Sequence, residues 1–360
     1  MSIVRVGIVG CGEVTQLMHL PSLSYLQDKF QVTALCDISR NVVTKVADTW
    51  NIPKRFHDYH ELVAQTDVDA VLIASTNAYH AAVALEAIAA GRHVLIEKPM
   101  CVTFREADAI IAAARQRPQI TVQVGYMRRY APAFVEACRL VPAMGAIRLA
   151  RVHDVLGSNS LFVKGTASSV RGDDVPADVL LQGQQMQDDL IREAIGEATP
   201  ELRSAYSLLL GLSSHDLSAM RELLGMPHKV LCATQRQGGL YLSATFDYGG
   251  YVCQFETGID KIPRFDAHLE VYGEEQVLRV QYDTPYVRNL PIRLFITEAN
   301  GRGGVVERAE HPAWGDAFVA EWQAFYENIT GHLTPKTSPA DFRLDLELFR
   351  DMIALMRHQG

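Results

Sequence analysis

Short apolar runs alternate with amphipathic stretches over the first third of the chain. Ile3–Val9, Gln31–Cys36, Ala70–Ala74, His93–Ile96 and Ile120–Val124 are nearly continuous in hydrophobic residues. Helical spacing fills the intervals near 14–27, 39–50, 79–90 and 104–116. Strands that are apolar on both faces, each followed by a helix, predict a parallel doubly wound sheet. Beyond residue 145 the pattern changes to alternation, in Tyr241–Phe246, Tyr251–Thr257, His268–Tyr272 and Gln276–Tyr282, with turn signals at Gly249-Gly250 and Gly273. That alternation predicts a mostly antiparallel sheet with one covered face. Helical stretches at Glu201–Leu224, Trp314–Ile329 and Asp341–Arg357 complete the second half. The expected division is a doubly wound domain over 1–126 and an α+β domain over 127–360.

Composition narrows the partners. At 360 residues and 48% hydrophobic content the chain can bury two cores. Its formal charge of -8, with basic residues scattered, argues against a nucleic-acid surface and for a small-molecule partner. Six widely spaced cysteines contain no Cys-x-x-Cys, so neither a zinc site nor a disulfide framework is expected, and a reducing cytoplasm fits. No apolar run reaches the roughly 20 residues that cross a bilayer, and the first strand leaves no room for a leader.

The turn after the first strand, Gly10-Cys11-Gly12-Glu13-Val14, has the form of a phosphate cradle. Gly10 makes the tight turn and Gly12 lets the backbone approach a pyrophosphate, which the next helix receives on its N-terminal amides. The third position of the fingerprint is Thr15 rather than Gly or Ala, implying looser packing of helix on strand. Asp37, at the end of the second strand, is placed to bind both adenosine ribose hydroxyls, while Arg40 could pair with a 2′-phosphate or stack on adenine. NAD is therefore the expected cofactor, with NADP as the alternative; a loop Asp capping the helix at 39–50 is the plain structural reading of Asp37.

Further along come Ser75-Thr76-Asn77 with His80, then Gly91-Arg92-His93-Val94 leading into Glu97-Lys98-Pro99, and Val124-Gly125-Tyr126-Met127-Arg128-Arg129-Tyr130. Ser338-Pro339-Ala340-Asp341 opens the last helix. In this order the motifs resemble the glucose–fructose oxidoreductase/inositol dehydrogenase/MocA family (Gfo/Idh/MocA) over nearly the whole chain. The resemblance implies an N-terminal Rossmann domain, a C-terminal domain with a large open sheet that forms homodimers or homotetramers, and hydride transfer between NAD(P) and a hydroxyl-bearing carbon of a sugar, cyclitol or related polyol.

Lys98 is then the candidate general acid/base, its ammonium brought into a useful range by partial burial beside a cationic ring. Glu97 points to the other side of the strand and is assigned to positioning or to the nicotinamide ribose. Pro99 resembles the family's cis proline. Ser75, Thr76, Asn77 and His80 follow the third long strand, at the carboxyl edge where ligands of such sheets bind; for His80 the alternative is packing against the loop. The family's second element is an Asp-x-x-x-His pair. His215 fits it, but the position four earlier is Gly211, and Ser218 stands at a second acidic position. Lys98 and His215 then act alone, a tyrosine such as Tyr206 or Tyr126 replaces the carboxylate, or the site binds without turnover. Tyr126, Arg128 and Arg129 are expected near the cleft, one arginine contacting ligand and the other an ordinary surface charge.

Between Leu156 and Glu201 runs a long stretch rich in Gly, Ser, Asp and Gln, read as a lid or as a mobile insertion. Two further classes stay open: a non-catalytic dinucleotide- or sugar-binding regulator, favoured by Gly211, and a reductase for a planar non-sugar substrate. No residue set has metal-ligand spacing.

Overall fold

The computed structural model describes residues 3–357. The chain divides into two compact units. The first gathers the chain up to Tyr126 with Ala167–Gly196 and Glu321–Leu346; the second comprises Met127–Thr166, Glu197–Ala320 and the chain from Glu347 on.

The first unit is built on a six-stranded parallel sheet: β1 (Val4–Val9), β2 (Phe30–Cys36), β3 (Lys54–Phe56), β4 (Ala70–Ile73), β5 (His93–Glu97) and β6 (Val122–Gly125), in the order β3-β2-β1-β4-β5-β6. Val6, Ile8, Val71, Leu72, Val94 and Leu95 are all buried, as expected for strands covered on both faces. The order reverses direction between β1 and β4, and register pairs Val9 with Cys36 on one side and Ile73 on the other. The loops leaving the carboxyl ends of β1, β2, β4 and β5 therefore meet at the switch point, where ligands of this architecture bind.

The second unit carries an eight-stranded sheet of β7 (Leu149–Gly157), β8 (Lys229–Arg236), β9 (Tyr241–Asp247), β10 (Val252–Asp260), β11 (Phe265–Tyr272), β12 (Gln276–Tyr282), β13 (Arg293–Ala299) and β14 (Val305–Glu310). It is antiparallel except where β10 runs parallel to β7. Burial alternates, with Leu242, Ala244 and Phe246 or Leu278, Val280 and Tyr282 turned to the covered face. Helices Pro132–Leu140 and Ser214–Leu224 pack on that sheet.

Three local departures from the sequence pattern bear on the site. The stretch after Leu156 is not structureless: it forms helices Asn159–Thr166 and Ala177–Ile195, and its second half belongs to the first unit. The helix expected over 14–27 opens with a π turn, Thr15–His19, before Leu20–Tyr25. The one expected over Glu201–Leu224 is likewise interrupted by a π turn at Leu209–Ser213. π turns are uncommon insertions in helices and frequently mark functional sites.

Candidate active site

Gly10 takes φ +98°, and a Cβ there would stand 2.4 Å from the Ala74 carbonyl oxygen, so only glycine closes the turn between β1 and β4. Gly12 differs: a Cβ would meet nothing within 4 Å, which leaves an exposed backbone cradle of the kind a pyrophosphate fills. Thr15 corrects the expectation of loose packing. It is fully buried, and its hydroxyl donates to the Gly10 carbonyl at 2.6 Å, so the extra bulk is absorbed in the π turn and pins the glycine turn from behind.

Asp37 faces this turn. Its carboxylate accepts the Cys11 amide at 2.7 Å and the Ser39 amide at 2.9 Å. Helix Arg40–Trp50 is capped by Ser39, whose hydroxyl accepts the Val42 amide, so the capping role considered for Asp37 falls to its neighbour. Arg40 is exposed. Thr76 precedes helix Asn77–Ala89 without a side-chain cap, leaving that helix start open to an anion, and the buried Ser75 hydroxyl has no hydrogen-bond partner. An open cradle at Gly12, an unsatisfied Ser75 hydroxyl and uncapped amides at Asn77 fit the chemistry of a dinucleotide.

His80 is buried, with Nδ1 2.8 Å from the Pro99 carbonyl oxygen and Nε2 2.9 Å from that of Ser75. Burial holds its pKa below the ordinary value, and the ring ties the β4 and β5 loops together rather than pointing a nitrogen at ligand. The Lys98–Pro99 peptide is cis. Lys98 itself is half-buried at the end of β5, and its amide donates to Glu97 Oε2 at 3.1 Å.

Behind Lys98 lies a chain of contacts with no local signal in the sequence. Glu97 is buried, and its Oε1 is 2.8 Å from His19 Nε2; on the far side of the ring the Trp322 indole donates to His19 Nδ1 at 3.0 Å. An indole N–H can only donate, so Nδ1 is the acceptor and Nε2 carries the proton that His19 gives to Glu97. Although burial opposes it, the His19 bond and the charges of Lys98 and His80 hold the Glu97 carboxyl below its ordinary range. Glu321, adjacent to Trp322, is fully buried, and neither carboxyl oxygen has a hydrogen-bond partner. Burial, reinforced by the charge of Glu97, pushes its carboxyl well above the usual range.

Tyr126 has no exposed surface; its hydroxyl donates to Asp345 at 2.8 Å and its ring stacks on Phe342. In the second unit, Arg128 Nη1 donates to Asp154 at 2.9 Å and to Asp216, with the guanidinium over the Tyr282 ring. Arg129 donates to Glu222 at 2.5 Å. With exposures of 4% and 3%, neither arginine is the expected surface charge. Tyr206 is buried edge-on to Phe349. His215 is buried on helix Ser214–Leu224, just after the π turn that contains Gly211. That turn breaks the regular one-turn relation between the two positions, and a Cβ at Gly211 would meet nothing within 4 Å.

The long Gly- and Asp-rich stretch supplies a strap across the first unit. Gln16 Nε2 donates to the Val170 carbonyl at 2.9 Å and its Oε1 accepts the Val170 amide at 2.7 Å. Arg171 pairs with Glu13, and Asp174 accepts from the Ser39 hydroxyl and from the Asn41 amide at 3.1 Å.

A parallel sheet whose switch point carries a glycine turn, Asp37 and, just after β5, Lys98 has the architecture of dinucleotide-binding folds. Residues 4–126 match the Gfo/Idh/MocA family model, described as an oxidoreductase family with an NAD-binding Rossmann fold. The chain is 34% identical to the inositol 2-dehydrogenase of Salmonella typhimurium over 138 residues, which is 38% of this chain and 41% of that one, so the match spans less than half of this relative. To the inositol 2-dehydrogenase/D-chiro-inositol 3-dehydrogenase of Shouchella clausii it is 27% identical over 333 residues, covering 90% and 83% of the two chains. The structure resembles that of levoglucosan dehydrogenase in complex with NADH, at a TM-score of 0.77 and 16% identity, covering 100% of this chain and 98% of the other. That likeness carries the fold alone. Among the described residues, no helix is long and apolar enough to cross a membrane.

Proposed function

We propose that the protein is an NAD(P)-dependent dehydrogenase or reductase that moves a hydride between the nicotinamide and a secondary alcohol or ketone of a sugar, cyclitol or sugar derivative. The observation that carries this reading is the convergence on one sheet edge of the Gly12 cradle, Asp37 and Lys98, the last backed by Glu97 and His19. The relatives' names, inositol 2-dehydrogenase above all, support the substrate class.

The bound dinucleotide supplies the hydride acceptor or donor. Gly10, Gly12, Glu13 and Val14 form the turn under its pyrophosphate, Asp37 and Arg40 the adenosine end, and Ser75, Thr76 and Asn77 the nicotinamide half. Lys98 takes the hydroxyl proton during oxidation and returns it during reduction, while Glu97 and His80 fix the two loops that hold it. His215 is the second catalytic residue of this reading. Tyr126 and Arg128 have internal partners, so they enter this account as positioning groups, as does Tyr206. Cytoplasmic location and assembly into homodimers or homotetramers complete the proposal.

The test is formation of reduced nicotinamide, followed by absorbance, with NAD and NADP across cyclitols, anhydrosugars, sugars and their keto forms. Turnover of at least one polyol supports the reading. Dinucleotide binding without turnover of any compound in the panel favours the regulator, the reading that Gly211 supports.

A further inference from the structure

Resting on the dehydrogenase reading, we propose that Asp174 sets the cofactor preference, holding a carboxylate where the 2′-phosphate of NADP would bind and so selecting NAD. Asp37 is the residue placed to bind the adenosine ribose, and the substituent on the ribose 2′-oxygen lies beside it. Three residues further along, helix Arg40–Trp50 begins, and its first amides are the natural donors to an anion at that place. In this chain those donors are already engaged. The Asn41 amide donates to Asp174 Oδ2 at 3.1 Å, the Arg40 amide also faces this carboxylate, and the Ser39 hydroxyl donates to Oδ1. Asp173 adds a second acid, accepting from the Asn41 side chain at 3.1 Å.

The carboxylate is held there by the strap rather than by one bond. The paired bonds of Gln16 with Val170 and the Arg171–Glu13 ion pair anchor it at the glycine turn. At the other end it passes so close to the helix cap that a Cβ on Gly172 would stand 2.5 Å from the Ser39 hydroxyl oxygen. The Ser39 hydroxyl and the helix amides keep the Asp174 carboxyl below its ordinary pKa, so it is ionised at neutral pH. A phosphate monoester with nearly two negative charges would meet Asp37, Asp173 and Asp174 and find its donors taken. Among the described residues Arg40, exposed beside Ser39 and Asn41, is the cation nearest in sequence to offset them, and it is outnumbered.

The experiment is titration of the full chain with NADH and with NADPH, read by nicotinamide fluorescence, for the parent, Asp174→Asn and Asp174→Ser. Asparagine keeps the acceptor for Ser39 and removes only the charge, so the strap can stay in place. The expected result is an NADH preference of at least about tenfold in the parent that narrows by about tenfold in both variants, through tighter NADPH binding with NADH affinity nearly unchanged. Raising the salt concentration should narrow the parent's preference more than that of either variant, since the discrimination is between charges near the surface. A parent that prefers NADPH overturns the inference, and so does an unchanged ratio or an equal weakening of both dinucleotides in the variants. If the parent binds neither dinucleotide, the dehydrogenase reading fails and this inference fails with it.

Discussion

Trp322 fixes the tautomer of His19: its indole donates to Nδ1 at 3.0 Å, so the proton on Nε2 is directed at Glu97, the neighbour of Lys98. A residue from near the end of the chain thereby orients the carboxylate against which the proposed acid/base is built. Trp322→Phe keeps an aromatic ring in the core but leaves His19 Nδ1 without its donor. We expect a loss of about 1–3 kcal/mol in stability, as for an unsatisfied buried polar atom. We also expect kcat to fall about tenfold with KM nearly unchanged, since a misplaced catalytic group costs chemistry more than binding. Denaturant unfolding and steady-state kinetics on the same preparation check both, and unchanged kcat would contradict a positioning role for Trp322.

The two glycines of the cradle make a paired prediction. Gly12→Val should fold with a melting temperature close to the parent's, because its Cβ points into open space, yet lose at least about tenfold in dinucleotide affinity by filling the cradle proposed for the pyrophosphate. Gly10→Ala should instead lower the melting temperature itself, since its Cβ meets the Ala74 carbonyl and φ is +98°. Thermal unfolding and NADH titration separate the two; equal effects on stability would argue against the cradle.

Glu321 predicts a pH dependence of stability. Its carboxyl titrates well above the ordinary value in the folded chain, whereas the unfolded chain ionises it near pH 4.3. Above that pH the unfolded state releases a proton that the folded state keeps, so stability is lost progressively as pH rises toward the folded value. Glu321→Gln removes this dependence. The variant should be more stable than the parent by at least about 1 kcal/mol at pH 8 and should lose its advantage near pH 4, a contrast that melting curves across pH would show.

In the second unit, Arg128 is held by Asp154 and Asp216 together. Burial, opposed by the pull of Arg128 and reinforced by the charge of Asp154, places the Asp216 carboxyl well above its ordinary range, so Asp216 holds its proton more tightly than an ordinary carboxyl. Asp216→Asn should therefore cost less than about 1 kcal/mol, whereas Arg128→Met strands a buried carboxylate and should cost about 3–5 kcal/mol. Comparable losses in both variants, measured by urea unfolding, would contradict this assignment.

Much of the first unit was legible because its signals are local. Gly10, Gly12 and Asp37 sit in one strand–turn–helix pattern, and β1, β2, β4 and β5 read directly as apolar runs. β3 is only three residues long, none of them buried, so its sequence carries no such run. The strap and helix Ala177–Ile195 showed as an unusual composition without a structure. That helix buries only Leu190 and Ile191, too few to give a helical period, and it is fixed by packing on helix Asn77–Ala89. His19, Trp322 and Glu321 carry no motif at all; their roles exist only once residues some three hundred positions apart are in contact. The two π turns escaped for a related reason, since Thr15 and Gly211 read as ordinary helical positions until the backbone around them is known.

In the reaction we propose, Lys98 carries the proton that accompanies hydride transfer. The most direct measurement compares parent and Lys98→Met in reduced-nicotinamide absorbance with the best substrate of the panel, alongside NADH binding. The expected result is a fall in kcat of at least about a hundredfold with dinucleotide affinity within a fewfold of the parent's. A Lys98→Met variant that turns over at the parent's rate would contradict it.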